Sequence, residues 1–79
     1  MRGNNDKAIA EYDKAIKIDP NFLSAYYDRG QTREAMKDYD KARADYQAAV
    51  DKPGAGRPID TWAKDQAKKA LERLATEGK

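Results

Sequence analysis

The stretch Asp6–Tyr12, DKAIAEY, reappears 34 residues later as Asp40–Tyr46, DKARADY. Beyond it, Ala15-Ile16 in the first copy corresponds to Ala49-Val50 in the second. Self-similarity at a fixed period of about 20–50 residues is the sequence signature of repeat architectures, in which neighbouring units pack on one another. The chain is therefore predicted to contain repeated structural units.

Both copies have the apolar pattern of a helix. The apolar side chains of the first copy follow one another at steps of one and three residues, which places them on one helical face. They are Ala8, Ile9, Tyr12, Ala15 and Ile16, and the second copy repeats them with Ala42, Tyr46, Ala49 and Val50. The small number of valine, isoleucine and threonine residues also favours helix over strand.

Asparagine and proline set the predicted ends of the first helix. Asn4 or Asn5 is a good N-cap. Because Pro20 disfavours helical backbone in the residue before it, the first helix is expected to end near Ile18. Asn21 is then predicted to cap the second helix.

Three further helices complete the predicted architecture. The second spans residues 22–36, the third spans 39–51, and the PGAG segment at 53–56 interrupts the chain. The fourth helix begins at Pro58 or Asp60. Its stripe, apolar except for Gln66, consists of Ile59, Trp62, Ala63, Gln66, Ala67, Ala70, Leu71, Leu74 and Ala75. The predicted fold class is all-α, an antiparallel helix-turn-helix repeat of about four helices.

The 34-residue period, with its small and aromatic positions, resembles the tetratricopeptide repeat family. A repeat of that family is a pair of antiparallel helices, A and B, and successive repeats stack into a superhelix. Tyr26 and Gly30 match signature positions of helix A, and Tyr46 matches the aromatic position of helix B. The resemblance assigns a packing role to Ala8, Tyr12, Ala15, Pro20, Tyr26, Gly30, Ala42, Tyr46, Ala49 and Trp62.

The resemblance also implies how the chain is organised. Residues 1–79 form a single domain, in which 3–20 are helix B of a partial repeat, 21–54 a full repeat and 57–79 a C-terminal capping helix. The chain is therefore similar to the C-terminal fragment of a longer array, and its first helix lacks a helix A partner.

Four positions depart from the family pattern. Arg29 and Arg33 stand where the family usually has a leucine and an aromatic residue. Lys37 replaces the glycine of the turn between helices A and B, and Pro53 comes one residue early. These departures put the geometry of the turn in question and leave the repeat intact.

Gly30 lies inside a predicted helix, where glycine costs about 1 kcal/mol relative to alanine. Close packing would offset that cost. We therefore predict that a neighbouring backbone lies over Gly30, with Ala42 and Ala49 as the small residues of the following helix.

The composition excludes several kinds of active site. The 79 residues contain no cysteine and no histidine, so Cys/His metal cages and catalytic triads based on either residue are absent. No nucleotide-binding or nucleophile-elbow motif occurs. The turn 54–57 could present amides to an anion, but it follows no strand and Pro58 removes one donor, so a phosphate site is not favoured. The chain is predicted not to be an enzyme and to need no cofactor and no metal.

The main functional prediction, which the resemblance implies, is a scaffold that binds a protein or peptide without catalysis. Helix A lines the concave surface of the family, and the matching residues here are Ser24, Tyr27, Asp28, Gln31 and Glu34. One branch of the family grips the C-terminal carboxylate of chaperone tails with lysine, asparagine and arginine. Tyr27, Asp28 and Gln31 stand at those positions, so that clamp is absent. The surface favours a basic or neutral segment, unless Tyr27 packs against a neighbouring helix instead.

Two alternatives stay open. An RNA-binding helical repeat would use a phosphate path of Arg29, Arg33, Arg43 and Arg57, but acidic residues interleave these arginines and the net charge is only +2, so nucleic-acid binding is not favoured. A structural module would form a homo-oligomer through the first helix, whose Ile9, Tyr12 and Ile16 face lacks a partner. The chain contains no apolar run long enough to span a membrane and no signal peptide at its start, so a cytoplasmic location is expected.

Overall fold

Four helices form the chain in a computed structural model that describes residues 2–77. They are α1 (Arg2–Ile18), α2 (Leu23–Ala35), α3 (Tyr39–Asp51) and α4 (Pro58–Glu77). The described residues contain no strand, so the all-α prediction is confirmed. Residues 1, 78 and 79 of the predicted domain lie outside the described residues.

Helix α2 lies at the centre of the packing. It contacts α1, α3 and α4, and α3 also contacts α4. Within residues 2–77, α1 contacts α2 and no other helix. As a result, Ile9, Tyr12 and Ile16 of α1 are only half-buried, and the predicted shortage of cover on this face is present.

Small side chains dominate the core between the other three helices. Tyr46 and Leu23 are the largest fully buried residues. Alanines surround them, which lets helix axes approach closely. The fully buried alanines are Ala42, Ala49, Ala63 and Ala67.

The close contact predicted at Gly30 exists, but its partner differs from the prediction. A Cβ atom at Gly30 would lie 2.7 Å from Cε1 and 2.9 Å from Cδ1 of Tyr46. The aromatic ring of α3, and not a neighbouring backbone, therefore lies on Gly30. The physical reason is length, because the tyrosine side chain crosses the space that two alanines would leave open.

The connection between α1 and α2 corrects two predicted boundaries. The first helix already begins at Arg2, and its end at Ile18 agrees with the prediction. Asn21 does not cap α2, since Phe22 occupies the N-cap position without a side-chain hydrogen bond. The Asn21 amide instead donates to Oδ1 of Asp19 at 3.1 Å, within a turn that the Phe22 amide closes on the Asp19 carbonyl.

Lys37 adopts the left-handed backbone that its predicted place in the turn requires. Its φ is 65°. The Lys37 amide donates to the Glu34 carbonyl and the Asp38 amide to the Arg33 carbonyl, both at 2.9 Å. These two bonds form a Schellman motif, which satisfies the last carbonyls of α2 before the chain reverses into α3.

The buried stripe of α4 is narrower than the predicted one. Ala63, Ala67 and Leu74 are buried as predicted, but Ile59 and Trp62 are largely exposed. Trp62 is 46% exposed, whereas Tyr26, to which the resemblance matches it, is 7% exposed. The Tyr27 ring of α2 contacts one edge of the Trp62 indole, whereas the buried residues through which α4 packs in the core are mainly alanines.

Lys64 connects α4 to the end of α3. Its ammonium group donates to the Val50 carbonyl at 2.8 Å and to the Lys52 carbonyl. A cation is favourable at this position, because the last carbonyls of a helix carry partial negative charge.

Candidate functional site

The five predicted partner-binding residues lie on α2 in different degrees of burial. Ser24 and Tyr27 are buried, Asp28 and Glu34 are half-buried, and Gln31 is exposed. Three of the five therefore reach solvent on α2, and the other two contribute mainly to packing.

Tyr27 packs against aromatic rings from two other helices. Its ring centroid lies 5.3 Å from that of Trp62 on α4, with the planes nearly perpendicular, and 5.8 Å from that of Tyr46 on α3. Edge-to-face contact is a favourable arrangement of aromatic rings. The alternative role of Tyr27, packing against a neighbouring helix, is thus the one that its burial supports.

Trp62 extends the predicted surface from α2 onto α4. One side of its indole meets Tyr27, and 46% of the residue remains accessible to solvent. Ile59, one turn earlier on α4, is exposed as well. We call the surface formed by Tyr27, Asp28, Gln31, Ile59 and Trp62 the α2–α4 face.

Glu34 is held by two other helices. Arg73 of α4 donates to both of its carboxylate oxygens, at 2.5 and 2.9 Å, and the Tyr46 hydroxyl of α3 donates to Oε1 at 2.7 Å. The Arg73 hydrogen bonds lower the pKa of Glu34 below its ordinary value, and the Tyr46 bond adds to this. Burial and the same bond raise the pKa of Tyr46. Glu34 therefore joins helices rather than presenting a free charge.

A second carboxylate explains the two arginines that depart from the family pattern. Asp45 of α3 is 3% exposed. Arg29 donates to it through Nε at 3.0 Å and Nη2 at 2.7 Å, and Arg33 through Nη1 at 2.8 Å. Arg29 also reaches Asp13 of α1 at 2.7 Å. The hydrogen bond to Asp45 is the main cause that raises the pKa of Arg29.

The structural role of Asp45 was not predicted from the sequence, where it is one of the acidic residues that interleave the arginines. The position of Asp45 directly before Tyr46, a predicted packing residue, could have indicated this role. Arg29 and Arg33, four residues apart on one face of α2, gave the complementary signal.

The glycine-rich turn binds an anion that belongs to the chain itself. The amides of Ala55 and Arg57 donate to Oδ2 of Asp60, at 2.8 and 3.3 Å, and the Arg57 guanidinium donates to the same oxygen at 3.2 Å. Burial of Asp60 would raise its pKa, but these donors together lower it below its ordinary value. The turn thus closes on the first turn of α4.

All four arginines of the hypothetical phosphate path are paired with carboxylates. Arg29 and Arg33 hold Asp45, and Arg43 holds Asp40 at 2.6 Å. Arg57 contacts Asp60, and also Asp19 at 3.0 Å. Their charges are neutralised locally, which leaves little for counterion release on binding a nucleic acid.

Asp28 is the exception among the less exposed carboxylates. It is half-buried, and among the described residues no hydrogen bond or ion pair engages its carboxylate. Burial raises its pKa above the ordinary value. The pKa of the Tyr27 hydroxyl is raised by burial and further by the neighbouring charge of Asp28.

Two features are absent from the described part of the chain, a metal-binding cluster and a membrane-spanning helix. Within residues 2–77, no three side chains of histidine, cysteine, aspartate or glutamate are grouped to hold a metal ion. No helix in that range combines the length and apolar character that crossing a bilayer requires.

Comparison with known proteins adds two family matches. A family model described as TPR repeat matches residues 2–37, and one described as Tetratricopeptide repeat matches residues 24–54. Together they cover α1, α2 and α3, and they share residues 24–37, which are most of α2 and part of the turn after it.

Two curated proteins are similar over part of the chain. The Hsp70-Hsp90 organising protein of Plasmodium falciparum (isolate 3D7) is 43% identical over 37 residues, which are 47% of this chain and 7% of that protein. Tetratricopeptide repeat protein 12 of Mus musculus is 40% identical over 45 residues, which are 57% of this chain and 6% of that protein. The chain thus spans less than a tenth of either relative. No solved structure matches it significantly.

Proposed function

Since the chain belongs to the tetratricopeptide repeat family through residues 2–54, we propose that it is a scaffold that binds a peptide or a segment of a partner protein on the α2–α4 face. Tetratricopeptide repeats are generally protein–protein interaction modules. One relative is named Hsp70-Hsp90 organising protein, which is in keeping with such a role. Binding needs no catalytic group from this chain.

The half-exposed indole of Trp62 is the observation that carries this proposal. Trp62 rests against Tyr27, so its orientation is fixed before a partner arrives. Aromatic anchors of this kind dominate many protein interfaces, because they bury a large area at a small entropic cost. Gln31 and Asp28 lie on the same face and supply polar contacts.

The test is affinity capture with the chain and with Trp62→Ala/Gln31→Ala, followed by calorimetry on each captured protein. Loss of about tenfold or more in affinity, with an unchanged helical circular dichroism spectrum, is the expected result. Thr61→Ala/Lys68→Ala, at two exposed positions of α4 outside the face, is the control. Equal affinity of the wild-type chain and the Trp62→Ala/Gln31→Ala variant would refute the assignment of this face.

We also propose that α4 acts as a cap. With Trp62 matched to Tyr26, Gln66 stands where α2 has Gly30. Gly30 accepts the Tyr46 ring without room for a Cβ atom. A further helix that carries a tyrosine at the same position would therefore collide with the Gln66 side chain.

The Gln66→Gly substitution removes this obstacle. The first helix of a second copy carries Tyr12 at the position that corresponds to Tyr46, so this variant is expected to form larger species than the wild-type chain in sedimentation velocity. Identical sedimentation of the two proteins across micromolar to millimolar concentrations would contradict the cap.

Self-association through α1 is a second candidate. Its supporting observation is that Ile9, Tyr12 and Ile16 stay half-buried while α1 packs on α2 alone. Ile18, at the end of α1, is 81% exposed. Sedimentation equilibrium of wild type and Ile9→Ser tests it, and a monomeric mass for wild type at every concentration would exclude it.

A further inference from the structure

Within residues 2–77, Asp28 differs from the other buried or half-buried carboxylates in having no ion-pair partner. Glu34 is paired with Arg73, Asp45 with Arg29 and Arg33, and Asp60 with Arg57. Partial removal of an unpaired carboxylate from water is unfavourable. Pairing with the cationic group of a ligand would offset this penalty.

The position of Asp28 places it on the side of α2 that faces away from α3. Gly30, two residues further on, carries the Tyr46 ring of α3. Two residues correspond to about 200° around a helix. Asp28 therefore lies opposite this contact, directly after Tyr27 along α2.

The nearby cations of α4 do not form an ion pair with the Asp28 carboxylate. The guanidinium of Arg73 is occupied by Glu34, with Glu77 at 3.7 Å. Lys69, which lies seven residues beyond Trp62, is about 10 Å further along α4. That distance is comparable with the screening length at physiological salt. The Asp28 end of the face is thus the negative end.

We propose that the α2–α4 face selects partners that present a lysine or arginine side chain, whose cationic group pairs with Asp28 while its methylene chain lies along Trp62. This inference rests on the proposed function, because it names the chemistry of the partner that the same face binds. The Asp28 carboxylate would supply the charge. The exposed part of Trp62 would supply the apolar surface and a favourable site for a cation.

Trp62 is also a reporter of this binding, since it is the only tryptophan of the chain. The probes are four fluorescein-labelled, capped octapeptides in which alanine alternates with lysine, arginine, glutamine or glutamate. Binding is followed by fluorescence anisotropy at low and at physiological salt, and Trp62 emission is followed with unlabelled peptides. Urea unfolding monitors the fold of each variant.

The expected result is that the lysine and arginine peptides bind and change Trp62 emission, with at least tenfold preference over the glutamine and glutamate peptides. Asp28→Asn is expected to lower the affinity of the cationic peptides about fivefold and to weaken its salt dependence. Asp40→Asn is the matched control. Its side chain is 93% exposed on α3, on the other side of α2, and this variant should bind like wild type.

Three results would overturn the inference. Equal or tighter binding of the glutamine or glutamate peptide with a change in Trp62 emission refutes cation selectivity and leaves the proposed scaffold function standing. Equal losses in Asp28→Asn and Asp40→Asn show general charge attraction instead of a site. Absence of binding by all four peptides refutes the inference, and the affinity capture then decides the proposed function separately.

Discussion

Two residues of α2 and its turn determine how closely the central helices approach and how the chain reverses. At Gly30, the absence of a side chain allows the Tyr46 ring to lie directly against the backbone of α2. At Lys37, a residue with a side chain adopts a left-handed backbone that glycine adopts without steric penalty. Glycine fits the space beside the Tyr46 ring at position 30, whereas lysine is strained at position 37. A side chain added at Gly30 should therefore lower stability, and glycine in place of Lys37 should raise it.

Gly30→Ala is expected to destabilise the protein by about 1–3 kcal/mol. Alanine is the better helix former, but the added Cβ would lie 2.7 Å from the ring of a fully buried tyrosine, which must move. Urea unfolding followed by circular dichroism measures the change. Gly3→Ala, which meets nothing within 4 Å, is the control and should be neutral or stabilising. Equal stability of Gly30→Ala and the wild type would show that the contact is not tight.

Lys37→Gly is expected to stabilise the protein by about 1 kcal/mol, because glycine avoids the steric penalty of the left-handed conformation. The Schellman hydrogen bonds use backbone atoms only and are retained. Thermal unfolding monitored at 222 nm measures the gain. Lys41→Gly, inside α3, should lower stability instead, and a loss of stability in both variants would contradict the strain at Lys37.

At the scale of helices, buried and half-buried ion pairs join elements that the apolar stripes alone would leave weakly connected. Asp45 receives hydrogen bonds from two arginines of α2, one of which also contacts Asp13 of α1. Glu34 joins α2 to α3 and α4. The partners come from different helices, so these groups specify which helix faces meet.

The Glu34 contacts predict a pH dependence of stability. The pKa of Glu34 is lowered in the folded chain, mainly by Arg73. Its stabilisation is therefore present above the unfolded-state pKa of about 4.3 and is lost as the pH falls through the lower folded-state value. Because Arg73 is partly exposed, we expect Glu34→Gln to lower stability by only about 1 kcal/mol at pH 7.

Urea unfolding between pH 7 and pH 3 tests this dependence. The stability difference between wild type and Glu34→Gln should shrink as the pH falls below about 4. Glu11→Gln, which removes an exposed charge from α1, is the control for net charge. A difference that stays constant down to pH 3 would exclude Glu34 as the titrating group.

Across the whole molecule, the helices differ in how much buried contact they make. Three helices share the buried alanine and tyrosine core, whereas α1 packs only on α2, with its described side chains at best half-buried. Local opening free energies follow the amount of buried contact. Helix α1 should therefore open more easily than α3.

Native-state hydrogen exchange measures this difference. Amides in the middle of α1 are expected to exchange faster than those of α3, with protection lower by about tenfold or more. If α1 self-associates, its protection should rise with protein concentration while that of α3 stays the same. Equal, concentration-independent protection of both helices would show that α2 alone anchors α1 as firmly as the core.

Features that depend on neighbours along the chain could be predicted from the amino-acid sequence. The repeat of DKAIAEY as DKARADY predicts the two related helices, α3 has its predicted bounds, and Pro20 ends α1 at the expected residue. The sequence also indicated the unusual turn, because Lys37 stands where the family has a glycine. These features are local, because helical periodicity, caps and turns are set within a few residues.

Contacts between side chains of different helices could not be predicted in this way, because they depend on how the helices pack. Helix packing pairs Asp45 with Arg29, sixteen residues away, and Arg73 with Glu34, thirty-nine residues away. The orientation of α4 in the fold also leaves Trp62 at the surface beside Tyr27. Each charged or aromatic side chain has many chemically suitable partners in the sequence. Which of them it contacts depends on distance and burial in the folded chain.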